Sequence, residues 1–132
     1  MSRLLRRRGG TDEGAAAVEF ALLLPILLLL VFGIVDFGRL LNAQITLTEA
    51  AREGARAESL GADPVARATA VSPGMGMGVS VDGDCPDAAD TTVTTTLDFE
   101  FVTPIPGLAV LLGGSLGGSV ILTGEGNMPC LA

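Results

Sequence analysis

Gly14-Ala15-Ala16-Ala17-Val18-Glu19-Phe20 opens an apolar run that lasts to Val35. From Ala15 to Val35 every residue except Glu19 is uncharged, and nearly all are apolar. A run of about 21 residues makes roughly 31 Å of helix, enough to cross the hydrocarbon core of a bilayer. The stretch therefore predicts a transmembrane helix over 15–36, and the rest of the chain must be arranged around it. A charge at the centre of such a helix costs about 2.5–3.5 kcal/mol, and less near the end, so Glu19 reads as a functional residue. Pro25 would cost a soluble helix about 3 kcal/mol, but spanning helices tolerate proline when neighbours satisfy the freed carbonyl. A kink is expected there.

Upstream of the run lies a basic leader, residues 1–14, with Arg3, Arg6, Arg7 and Arg8. The net charge of −7 hides an asymmetry: the leader sets four arginines against Asp12 and Glu13, and the remainder sets four arginines against thirteen acids. A basic flank before the apolar run places the N-terminus in the cytoplasm and the C-terminal part outside. The acidic balance argues against nucleic acid as a partner, which needs a basic patch.

The sequence contains no histidine, lysine, tryptophan or tyrosine. Most general bases, Schiff-base amines and nitrogen metal ligands are thereby missing, which argues against an enzyme and gives no reason to expect a cofactor or a metal. Cys85 and Cys130 are the two cysteines, both on the expected outer side. An even count in an exported segment favours a disulfide over two buried thiols.

Downstream of Val35 the apolar run ends at Asp36 and Arg39, three residues apart on one helical face, where they can pair at the interface. Leu40, Leu41, Ile45, Leu47, Ala50, Ala51 and Ala55 then recur at three- and four-residue steps among Glu49, Arg52, Glu53 and Arg56, so the helix continues outside over 37–61. Gly61, with Pro64 beyond it, is the stop signal. One helix from about Ala15 to Leu60, near 69 Å long, is expected. Its outer half is rich in small residues, either for close approach of another backbone or as ordinary helix filler.

Residues 62–132 read as a small α+β domain. Val65–Val71 suggests a short helix, Gly76–Val81 a weak strand, Thr92–Val102 the strongest strand and Ser119–Gly126 a closing strand. Leu97, Phe99 and Phe101 alternate with Asp98 and Glu100, as a half-buried strand requires. Leu108–Leu112 is too short to span and reads as a core turn or a partner-facing patch. Asp82, Asp84, Asp87 and Asp90 could hold a calcium ion, but their spacing is not that of an EF-hand, and a solvated acidic loop accounts for them. The fold class is thus α+β: a long N-terminal transmembrane helix extending into the exterior, followed by a small disulfide-closed, β-rich head.

An ordinary signal peptide has a shorter apolar stretch followed by a small-residue cleavage site, and none follows here. The small residues precede the run instead, an arrangement that resembles a type IV prepilin leader. Together with Phe32-Gly33-Ile34-Val35-Asp36-Phe37-Gly38-Arg39 and Ala50-Ala51-Arg52-Glu53-Gly54-Ala55-Arg56, the leader is similar to that of the TadE-like family, pseudopilins of the tight-adherence pilus system. The resemblance covers about residues 9–57. It implies cleavage by a prepilin peptidase between Gly14 and Ala15, with Glu19 and Phe20 as the glutamate–aromatic pair. Glu19 would then neutralise the new amine of Ala15 on an adjacent subunit. The partners implied are membrane lipid, the peptidase, other pilin or pseudopilin subunits and the pilus assembly machinery. The competing expectation is an uncleaved, single-pass, membrane-anchored binding protein with an extracytoplasmic head.

Overall fold

The computed structural model of the chain describes residues 12–104, 107, 110, 113, 114 and 118–131. The four leader arginines and most of the Leu108–Leu112 run lie outside the described residues.

Helix α1 spans Asp12–Ser59, 48 residues, without interruption at Pro25. Its first half is apolar on nearly every side and, from Gly14 on, exposed apart from the half-buried Phe32 and Gly33, so among the described residues it buries no face against its own chain. The second half differs in kind. Ala43, Leu47, Ala50, Gly54 and Ala57 are buried at alternating four- and three-residue steps, which makes one stripe along the helix. The helix ends where Gly61 takes φ +72°, with Gly61 N donating to the Glu58 carbonyl and Ala62 N to the Ala57 carbonyl, both at 2.9 Å. This pair of bonds is the Schellman pattern, and glycine enters the left-handed region without a Cβ penalty.

Helix α2, Pro64–Val71, starts one residue before the expected Val65 because Pro64 fits its first position. Asp63 caps it, its carboxylate accepting from Val65 N at 2.9 Å and Ala66 N at 3.1 Å. Ala68 packs under Gly54 of α1, where an added Cβ would meet the Ala68 methyl at 3.3 Å.

Three strands form an antiparallel sheet in the order β1-β2-β3, with β1 Gly78–Asp82, β2 Asp90–Glu100 and β3 Ser119–Pro129. β1 begins two residues later than expected because Gly76 lies at φ +69°, outside the extended region. β2 begins at Asp90 because Asp90 and Thr91 pair with Pro129 and Met128, and the same pairing carries β3 past Gly126. β2 stops before Val102 because the backbone of residues 102–103 turns to a side chain of α1 instead.

The register puts Thr91, Val93, Thr95, Leu97 and Phe99 on one face with Leu122, Gly124 and Gly126, and this face lies on the outer half of α1. Two glycines of β3 set the spacing. A Cβ at Gly124 would fall 2.6 Å from the carbonyl carbon of Leu47, and one at Gly126 2.5 Å from that of Ala51. The small residues of α1 therefore do serve a close backbone approach, and the backbone that approaches is the chain's own β3. Thr95 Oγ1 donates to the Leu47 carbonyl at 2.9 Å across this contact, and Gln44 Nε2 donates to the Thr123 carbonyl at 2.7 Å. Ala43, Leu47, Phe99 and Leu122 form the core cluster, with Leu40, Met75, Met77, Leu97 and Phe101 against it.

Cys85 and Cys130 form a disulfide with Cα atoms 5.6 Å apart, closing the head as the cysteine count predicts. The α+β class and its order, a long apolar helix and then a small disulfide-closed sheet, are those read from the sequence.

Candidate functional site

Two places on α1 carry the residues of interest. The first is its start. Gly14 and Ala15 lie within the first turn of the helix rather than ahead of it, and both are exposed. Glu19 is exposed one turn further on, and Phe20 leaves 60 % of its surface exposed. Ala15 and Glu19 are four residues apart and so share a helical face. Among the described residues no side chain of the head covers this end of the helix, and residues 14–31 are all exposed.

The second is the junction at Asp36, where the apolar run stops. Arg39 Nη1 lies 3.4 Å from Asp36 Oδ1, the pairing expected from their spacing. The structure adds three donors from the head. Val102 N donates to Asp36 Oδ1 at 3.4 Å, Thr103 N to Oδ2 at 3.3 Å, and the Thr103 hydroxyl also donates to Oδ2. Asp36 is 2 % exposed, and a buried carboxylate is tolerated only when its oxygens are satisfied in this way. The Arg39 guanidinium also sits 5.2 Å from the centre of the Phe99 ring, and Phe99 meets Phe101 edge-on at 5.7 Å. Asp36 thus ties the lower end of the sheet to the last turn of the apolar segment. Sequence reasoning found the Asp36–Arg39 pair but missed the contact to Val102 and Thr103. A lone acid at the end of an apolar run signals that partners are needed, without saying which.

At the opposite end of the head, Cys85 N donates to Glu58 Oε1 at 3.2 Å, and Cys130 N to the Ala89 carbonyl at 3.0 Å. The disulfide is therefore fixed against the last turns of α1. Among the acids of the 82–90 loop, Asp90 receives Asn127 Nδ2 at 3.3 Å. Among the described residues no group of three or more Asp, Glu or Cys side chains is placed to hold a metal ion. An open groove of about 580 Å³ runs between the ends of α1 and α2, and the Arg67–Glu53 ion pair at 3.4 Å lies along it. The pair is partly exposed and belongs to the helix–helix contact.

These features define a class: a helix long and apolar enough to serve as a single-pass membrane anchor, carrying a small head along its far half. The sequence model of the family described as TadE-like protein matches residues 14–56, from the first turn of α1 to within a turn of its end. The match is confined to this helix, where the leader and the two motifs after it carry the resemblance. No curated protein and no solved structure matches the chain.

Proposed function

We propose that the chain is a minor pilus subunit of the tight-adherence type, a structural protein rather than an enzyme, anchored by residues 15–36 with its N-terminus in the cytoplasm. A prepilin peptidase cuts between Gly14 and Ala15. The new amine of Ala15 is a cation at the edge of the bilayer, and Glu19 of a neighbouring subunit neutralises it there. A glutamate in the first turns also suits the positive end of the helix dipole. The freed subunit then joins other pilin-like helices through its exposed apolar half.

The observation that carries this reading is the extent of the family match, which begins at Gly14 and runs along the helix. One observation favours the uncleaved anchor instead: α1 passes through Gly14 and Ala15 unbroken. Intact-mass spectrometry of the chain co-expressed with its peptidase separates the two. A mature N-terminus at Ala15 is expected, and a chain that stays intact or is cut elsewhere refutes the proposal.

A further inference from the structure

The connection between β2 and β3 is uncharged, unlike the acidic head around it. Glu100 is the last charged residue of β2 and Glu125 the next along the chain, so Phe101–Gly124 carries no charge in a protein otherwise rich in acids. Val102 leaves 74 % of its surface exposed and Val110 63 %. Apolar side chains this exposed along an uncharged stretch mark a surface that meets something other than water.

The two stems of the connection lie at one end of the sheet. Glu100 pairs with Ser119, and Phe101 N donates to the Gly118 carbonyl at 3.5 Å, so both stems leave the sheet side by side. One residue further, Asp36 holds the backbone of Val102 and Thr103 against the turn of α1 where the apolar run ends. The exposed end of the head is thereby held level with the boundary of the membrane-spanning segment. Arg39 stands beside it with 46 % of its side chain exposed.

We infer that this end of the head lies in the interfacial layer of the bilayer, with Val102 and Val110 in contact with lipid. The inference rests on the proposal that α1 spans a membrane, and the lipid surface it invokes is continuous with the one α1 crosses. The attraction is apolar rather than electrostatic, because Asp98 and Glu100 are exposed at the same end and anionic lipid would repel them. Zwitterionic lipid is therefore sufficient, and added salt leaves the contact in place.

The chain has no tryptophan or tyrosine, so one introduced tryptophan reports alone. Val110→Trp, Val102→Trp, Leu27→Trp and Leu60→Trp variants of the full chain are reconstituted in phosphatidylcholine vesicles carrying bromine either high or low on the acyl chains. Leu60, 24 residues beyond Asp36, is roughly 36 Å further along the helix and serves as the water-side control. The inference expects blue-shifted emission from Val110→Trp and Val102→Trp, quenched by the shallow bromines, with Leu27→Trp quenched by the deep ones and Leu60→Trp by neither. Val110→Trp and Val102→Trp behaving like Leu60→Trp, with Leu27→Trp still quenched, overturns the inference and leaves the spanning reading intact. Blue-shifted emission that bromine does not quench places the residue against protein and overturns it equally. An unquenched Leu27→Trp refutes the spanning reading and this inference with it.

Discussion

Replacing Gly124 with alanine tests whether the head is seated on α1 by backbone contact. The new Cβ would lie 2.6 Å from the carbonyl carbon and 2.7 Å from the carbonyl oxygen of Leu47, where ordinary contacts begin at 3.4 Å. Neither atom can move aside, because both belong to the backbone of a continuous helix, so β3 must withdraw by most of an ångström. Overpacking of this kind costs about 1–3 kcal/mol. The withdrawal also breaks the buried bond from Thr95 Oγ1 to the Leu47 carbonyl, a further ~0.5–1.5 kcal/mol, since the hydroxyl keeps the Gly124 carbonyl at 3.3 Å as a partner. Alanine recovers about 0.4–1 kcal/mol by restricting the unfolded chain. The net loss is about 0.5–4 kcal/mol, whose upper end is a large part of what a small head can hold. At about 4–8 °C per kcal/mol for a domain of this size, the middle of that range lowers the melting temperature by roughly 9–18 °C. The assay is thermal unfolding of the full chain in detergent, followed by circular dichroism. Gly118→Ala is the control, since no heavy atom lies within 4 Å of a Cβ built there. If Gly124→Ala and Gly118→Ala melt together, the close approach is not what seats the head.

Three further perturbations probe the rest of the arrangement. Asp36→Ala removes the acceptor for Val102, Thr103 and Arg39 at once, so limited proteolysis should cut the chain near residues 102–104 faster than in the wild type; unchanged cleavage there would show that Asp36 does not hold the junction. Reducing the Cys85–Cys130 disulfide, 45 residues apart in sequence, should destabilise the head by about 4 kcal/mol in the chain-entropy model, read as a lower melting temperature in reductant. Glu19→Ala should leave the protein in the membrane fraction while lowering its recovery with assembled pili, and normal assembly would remove the proposed pairing with Ala15.

Much of this was legible in the sequence, for identifiable reasons. The apolar run, the stop at Gly61 and the short helix beyond it are local signals, and local signals survive folding. Phe99 and Leu97 fell on the buried face because strand periodicity depends only on which side faces the core. The bounds of β2 moved because they are set by partners far along the chain: Met128 and Pro129 at one end, Asp36 at the other. The small residues of α1 show the same limit. Their spacing announces that a backbone comes close, but the glycines that complete the contact, Gly124 and Gly126, lie more than 70 residues away in sequence and look like ordinary loop or bulge positions. The buried Asp36 was visible as an oddity, and its partners were not, since Val102 and Thr103 bind it largely through backbone N–H groups that any residue supplies.

The fold also bears on how such a subunit transmits movement. Asp36 ties the head to α1 where the apolar run ends, and Glu58 receives Cys85 N near the helix end. Between these points the helix runs roughly 33 Å, and β3 and β2 lie along it with Ala43, Leu47, Phe99 and Leu122 in one core. The outer half of α1 is therefore not a stalk that lifts a separate domain off the membrane, because it supplies half of that domain's core. A flexible linker would decouple the head from the anchor. An uninterrupted helix buried in the head does the opposite: rotation or axial displacement of the apolar segment carries the head with it. Any partner that grips the apolar half of α1 thereby sets the orientation of the head, and the Asp36 junction is where that coupling can be cut without touching either.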